Sequence, residues 1–224
     1  AYWHYSVHNP KSVVSHFEGA VVNINASDFY SENISYVNDW GLEAQNGPQA
    51  LALKTKADRI AFYNCKFRSF QDTWMTTTRD ADRHYVKECW LEGAVDYFYG
   101  GGNALVEEST LYNVRSGSVI VAPCHESVKY GYVFRNCVID GNEQAADGKL
   151  KLGRPWHNSP KAVYINTLVK IPLAPEGWTN MGTSPALFAE YNSMDMNGKA
   201  LDLSCRKTEY ETGGKGFTID GQKI

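Results

Sequence analysis

Short runs of β-branched and aromatic residues alternate with turns along the chain, and Gly, Asn and Pro recur too often for long apolar faces of helical period. Sixteen Asn residues fit many tight turns or stacked polar ladders. Within this pattern a five-residue template recurs: an aromatic or polar residue, Asn or Glu, a small or β-branched residue, any residue, then an apolar one. Glu32-Asn33-Ile34-Ser35-Tyr36, Tyr63-Asn64-Cys65-Lys66-Phe67 and Lys87-Glu88-Cys89-Trp90-Leu91 fit it. So do Glu107-Glu108-Ser109-Thr110-Leu111, Arg135-Asn136-Cys137-Val138-Ile139 and Ile165-Asn166-Thr167-Leu168-Val169. The central residues 34, 65, 89, 109, 137 and 167 lie 31, 24, 20, 28 and 30 positions apart.

One strand-like motif per repeat at such a period predicts a solenoid, each turn burying its face on the next. Variable spacing around constant strand chemistry suits an all-β parallel β-helix with long loops on one face. The Leu ladder of a leucine-rich repeat is absent, and the strands of a β-sandwich would not share one template. Cys65, Cys89, Ser109 and Cys137 are then expected in one interior column, where a Cys65–Cys89 bridge between neighbouring turns is geometrically conceivable. Residues 1–224 are read as a single domain, with about 200–224, which lose the template and carry Gly213-Gly214 and Gly216, as a C-terminal cap or tail. Strand-like sequence begins at once with Tyr2, Trp3 and Tyr5, with no signal segment before it, so a chain cut from a longer precursor, or a fragment missing its start, is expected.

Composition narrows the function classes. Of 224 residues, 43% are hydrophobic and 21% charged, enough apolar material for a core and too much for global disorder. A formal charge of -3 argues against a nucleic-acid partner. No apolar run is long enough for a membrane-spanning helix. The five cysteines form no C-x-x-C, which removes zinc-ribbon and thioredoxin readings.

Several familiar sites are also missing or bland. There is no G-x-S-x-G. His4 and His8 lack a third metal ligand. Gly100-Gly101-Gly102 is not followed by Lys-Ser/Thr and reads as a turn between strands. Four polar clusters remain. Gln49 opens the apolar strand Ala50-Leu51-Ala52-Leu53, Gln71-Asp72 ends another, Asp96 is embedded in Val95-Asp96-Tyr97-Phe98-Tyr99, and Arg154 sits in Leu152-Gly153-Arg154-Pro155-Trp156. In a β-helix, residues 49, 71, 72 and 96 can share one face, where two carboxylates and a guanidinium would shift one another's pKa values.

These blocks, in this order, resemble the signatures of the pectin methylesterase (pectinesterase) family. The usual patterns are Gln-Ala-Val-Ala-Leu, Gln-Asp-Thr-Leu, Asp-Phe-Ile-Phe-Gly and Leu-Gly-Arg-Pro-Trp, and Ala189-Glu190-Tyr191-Asn192 is similar to a late block. Ala122-Pro123-Cys124-His125-Glu126-Ser127 looks closer to bacterial than plant members. The early Gly-x-Tyr-x-Glu block is missing, which the resemblance reads as lost N-terminal coils. Trp74 and Tyr97 stand where Leu and Phe are usual, swaps expected to bear on substrate preference more than on catalysis.

The resemblance implies a right-handed parallel β-helix, secreted or periplasmic and monomeric, that needs no cofactor or metal. Its partner would be pectin (homogalacturonan), with no nucleic acid or membrane. It would hydrolyse the methyl esters of galacturonate, with Asp96 as nucleophile, Asp72 as general acid and base, Gln71 and Gln49 as oxyanion donors, and Arg154 holding Asp96 ionised. The pKa of Asp96 is expected to fall and that of Asp72 to rise. Trp156, Tyr99 and Trp178 are expected as sugar-stacking faces, with Met181 beside them in the substrate-binding set. The alternatives are a non-catalytic polysaccharide-binding β-helix, or a pectate lyase or glycosidase on the same fold. Two carboxylates are thin for the calcium cluster of a lyase, whereas a glycosidase would use such a pair across a glycosidic bond.

Overall fold

The second residue of the repeat template has a left-handed backbone in every coil. Asn33, Asn64, Glu88, Glu108, Asn136, Asn166 and Asn192 all have φ between 49° and 59°. Asn tolerates this region better than most residues, which explains why it recurs there. The template therefore marks a corner between two strands. The computed structural model describes residues 19–40 and 49–207, together with the backbone of residues 218–219 and 222–223.

The first coil carries β1 (Val22–Ile24), β2 (Phe29–Glu32) and β3 (Ser35–Val37), and the second β4 (Leu53–Thr55), β5 (Ile60–Tyr63) and β6 (Lys66–Arg68). The third has β7 (Trp74–Met75), β8 (Arg83–Lys87) and β9 (Trp90–Gly93), and the fourth β10 (Val95–Gly100), β11 (Asn103–Glu107) and β12 (Thr110–Asn113). The fifth has β13 (Val119–Pro123), β14 (Tyr132–Arg135) and β15 (Val138–Gly141), and the sixth β16 (Lys151–Gly153), β17 (Lys161–Ile165) and β18 (Leu168–Val169). After β19 (Leu187–Tyr191) and β20 (Met194–Asp195), β21 (Thr218–Ile219) and β22 (Gln222–Lys223) form an antiparallel pair.

Strands of equal rank in successive coils pair in parallel and build three sheets: β1-β4-β7-β10-β13-β16, β2 through β19, and β3 through β20. This is a right-handed parallel β-helix, as expected. Its interior is filled by in-register columns. Phe62, Val86, Val106, Phe134 and Tyr164 run along the second sheet, and Phe67, Leu91, Leu111, Ile139 and Val169 along the third. All ten are buried. The next residue in the Tyr164 column is Glu190, which forms a buried ion pair with Arg206. A charged pair thus closes that column. Of the expected cap, the structure describes residues 200–207 and the backbone of β21 and β22; Gly213, Gly214 and Gly216 lie outside the described residues, as do His4 and His8.

The small-residue column forms as predicted. Cys65, Cys89, Ser109 and Cys137 are buried, the Cys65 N–H donates to Cys89 Sγ (3.3 Å), and the Cys89 N–H donates to Ser109 Oγ (3.0 Å). No bridge forms, because all five cysteines are free thiols. Each Sγ of the pair is engaged instead by backbone groups, Cys65 by Tyr63 O and Cys89 by Lys87 O. Outside the column, Asn64 donates to Asn33, Asn166 to Asn136 and Asn192 to Asn166, at 2.7, 3.2 and 2.9 Å. Gly101-Gly102 lies between β10 and β11, the turn read from the sequence.

Candidate active site

The first sheet holds the site on its outer face. Gln49 pairs with Gln71, Gln71 with Val95, and Val95 with Val119, so the two glutamines are neighbours across one strand spacing. One residue further along, Asp72 and Asp96 are neighbours in the same way, on coils about 4.8 Å apart. The Asp72 N–H donates to Val95 O at 3.0 Å. Both aspartates have left-handed backbones, φ 61° and 51°, and the register of β10 against β13 shifts between Val95 and Phe98. A bulge of this kind re-aims a side chain out of the regular alternation. It is how a carboxylate inside an apolar strand reaches the outer face.

Arg154 follows β16, two coils beyond Asp96, and reaches back. Its Nε donates to Asp96 Oδ1 (2.9 Å) and its Nη2 to Oδ2 (2.6 Å), a bidentate fork. Gly153 lets β16 lie close against β13, since a Cβ there would lie 2.5 Å from Val121 Cγ2. The Arg154 N–H donates to Val121 O and the Trp156 N–H to Pro123 O, at 3.0 Å each, fixing the Arg-Pro-Trp segment along β13. Asp72 and Asp96 are each only 5% exposed.

That burial decides the electrostatics. Desolvation first, and then the charge of Asp96, push Asp72 well above the usual carboxylate range, against the pull of Arg154 and a Gln71 hydrogen bond. Desolvation raises Asp96 as well, with the hydrogen bonds and charge of Arg154 drawing it back. The expectation that Asp96 falls below its ordinary value is corrected here: burial outweighs the guanidinium. The order survives, with Asp72 the more strongly raised of the two.

The aromatic candidates separate. Trp156 is half-buried at the edge of an outer cluster of Ala20, Leu51, Met75, Tyr99 and Ala122, its ring centroid 5.7 Å from that of Tyr99 and inclined to it at 65°. Tyr99 is only 2% exposed, so its ring forms the floor of this cluster and offers no free stacking face. Trp178 is corrected outright: at 1% exposure it packs on Tyr164 and Phe188 inside the helix. Its backbone pairs with Gly153, and Met181, three residues further on, is half-buried. Gln71 is half-buried and Gln49 exposed. Trp74 and Tyr97 point into the core, where Trp74 meets Phe62, Phe67 and Phe98, so these swaps are a matter of packing and not of substrate preference.

A groove continues from Trp156 along the same face, lined by Lys54, Lys56, Met75, Cys124 and His157. The sequence reading missed these residues. Only Lys54 carried a signal, as the polar residue ending the Gln49–Leu53 block.

A profile of the pectinesterase family matches residues 6–209. Pectinesterase 31 of Arabidopsis thaliana is 36% identical over 77% of this chain and 53% of its own length. Probable pectinesterase A of Neosartorya fischeri is 34% identical over 87% of this chain and 57% of its own. The crystal structure of the pectin methylesterase from Aspergillus niger superposes with a TM-score of 0.78 at 31% identity, covering 92% of this chain and 65% of that one. The chain belongs to the pectinesterase family, and it spans about half the length of the curated relatives it matches. These relatives are plant and fungal, which replaces the bacterial leaning drawn from residues 122–127.

Proposed function

We propose that this chain hydrolyses methyl esters of galacturonate units in pectin, releasing methanol and leaving a carboxylate. The observation that carries the reading is the pair of buried aspartates on adjacent coils, of which one alone is held by the Arg154 fork. Both carboxyls are raised, but the Arg154 fork and charge draw Asp96 back while burial and the charge of Asp96 push Asp72 further up, so the proton resides on Asp72 when one is ionised.

Asp96 attacks the ester carbonyl, forming an acyl bond to the enzyme as the bond to methoxide breaks, and the Asp72 proton goes to the departing methanol. Water then gives a proton to Asp72 and its hydroxide to the acyl carbon, which frees Asp96 and restores the starting protonation. Gln71, with Gln49 beside it, supplies hydrogen bonds to the tetrahedral oxyanion, each such donor worth about 3 kcal/mol. Trp156 and the adjoining groove accommodate the neighbouring sugars. A wall polysaccharide as substrate places the protein outside the cytoplasm, and no helix among the described residues is long and apolar enough to cross a membrane.

The test is methanol release from highly methylated pectin with polymer length followed in parallel. Methanol without shortening is expected; shortening without methanol would indicate a lyase or glycosidase, and neither would indicate a binding module. Asp96→Asn should abolish turnover. Asp72→Asn should be severely impaired on the methyl ester and much less so on a nitrophenyl ester, whose leaving group needs no proton. Equal damage on both esters would overturn the assignment.

A further inference from the structure

On its outer side the second sheet carries an apolar row, where an exposed sheet face is ordinarily polar. Ala61, Tyr85, Leu105 and Val133 stand in register on β5, β8, β11 and β14, and none of the four is buried. At one coil spacing per step the row runs roughly 14 Å along the helix. Two residues further along the strands the outward side chains are charged, as Lys87, Glu107 and Arg135.

Two tyrosine rings on this strip are exposed and yet held. Tyr85 is 40% exposed, and its hydroxyl donates to Glu107 Oε2 on the next coil at 2.8 Å, with Glu107 held in turn by Arg135 Nε at 2.6 Å. A tether two positions along the strand lays the ring down on the sheet. Tyr130, just before β14, is 58% exposed. Its N–H and that of Gly131 both donate to Asn103 Oδ1, at 3.0 and 3.2 Å, and Gly131 takes a φ of 72° that packs it on Lys161 O. A cavity of about 360 Å³ lies over the row, lined by Tyr130, Leu105, Val133 and Arg83 among others. Rings fixed in this way offer a large contact face with little entropy left to lose on binding.

The charges around the cavity are already paired. Arg83 Nη2 donates to Asp58 at 2.7 Å, Arg135 to Glu107, and Lys161 Nζ to Val128 O at 2.9 Å, while Lys129 lies over the Tyr130 ring. The strip thus favours an uncharged ligand over a row of carboxylates. Its open course along the axis suits an extended polymer, since a compact molecule is ordinarily enclosed by its pocket.

We infer that this strip is a second polysaccharide-binding surface, on a different sheet from the aspartates, and that it takes a methyl-esterified, uncharged stretch of galacturonan. Sugar faces stack on Tyr85 and Tyr130, and ester methyls lie on Leu105 and Val133. A polymer held there stays within reach of the first sheet at a raised effective concentration, whereas a short oligomer gains nothing. The choice of this polymer rests on the ester-hydrolase reading above; the saccharide surface itself does not.

The test adds Tyr85→Ala and Tyr130→Ala together to the full chain and measures binding in an Asp96→Asn background, so that pectin is not consumed. Losing both rings should raise the Kd for highly methylated pectin about five- to a hundredfold. With Asp96 intact, kcat/KM should fall on the polymer and stay the same on a short methylated oligomer. A second measurement needs no tyrosine variant: highly methylated pectin should protect Tyr130 from nitration by tetranitromethane, and polygalacturonate should not. An unchanged Kd or an unprotected Tyr130 overturns the inference, and the nitration result decides even if the double variant unfolds. Polygalacturonate or a neutral glucan bound through these rings as tightly as methylated pectin overturns the choice of ligand. Ring-dependent binding of methylated pectin by a chain that, with Asp96 intact, releases no methanol upholds the surface and refutes the function instead.

Discussion

Arg154 matters because Asp96 is buried beside it. Desolvation works against ionising Asp96, and two parallel hydrogen bonds from one guanidinium work the other way. Catalysis as proposed needs Asp96 charged and Asp72 protonated. Activity should rise with pH through the Asp96 titration and fall through that of Asp72, a bell whose alkaline limb is set by the more strongly raised group. Arg154→Lys replaces the fork with a point charge. The Asp96 pKa should climb, the acid limb should move to higher pH and the active window should narrow, with kcat/KM at the optimum falling by about ten- to a hundredfold. A pH–rate profile of the variant checks this, and an acid limb left in place would show that the fork does not set the charge of Asp96.

Along each coil the corner residue of the template is the element on which stacking depends. Asn166 accepts a hydrogen bond from Asn192, donates one to Asn136 and holds a φ of 53°. Asn166→Ala loses both ladder bonds and puts an ordinary Cβ into the left-handed region, for an expected loss of about 2 kcal/mol. Asn166→Gly keeps the backbone unstrained and should lose about half as much. Thermal unfolding reads the difference at roughly 2–4 °C per kcal/mol for a chain of this size; equal losses would mean that strain contributes nothing there. The same chemistry explains what could be read in advance. The repeat was legible because the left-handed corner selects Asn and the next position selects a small interior residue. Its seventh copy, at Asn192-Ser193, escaped because Asp195 stands where the template asks for an apolar residue. The four site blocks were legible as polar interruptions of apolar strands. Which way Trp156, Trp178 and Tyr99 face was not, because the bulge at Asp96 and the loops between coils reset the inward–outward phase that alternation alone would carry forward.

For the whole molecule, the buried histidines set the acid side of stability. His84 and His125 are held neutral chiefly by burial, each with its pKa lowered to about 4. An unfolded chain takes up these protons near the ordinary value of about 6.5. The fold therefore keeps its full stability above that value and loses it as pH falls toward 4, by about 3 kcal/mol for each histidine. The raised carboxyls of Asp72 and Asp96 work the other way, so the decline is read in the Asp72→Asn/Asp96→Asn chain: its denaturant melts between pH 7 and pH 4.5 should show the loss, and a flat profile there would contradict the burial of both rings. Coil order has one more consequence, which concerns time. As the chain is synthesised, Asp72 and Asp96 arrive with the third and fourth coils, whereas Arg154 lies 58 residues further on. At ordinary rates of synthesis that gap is roughly 3–12 s. Until it closes, Asp96, the proposed nucleophile, lacks the Arg154 fork. On the proposed mechanism, the nascent helix carries both aspartates before the site can act, and it would become reactive only when the sixth coil is laid down.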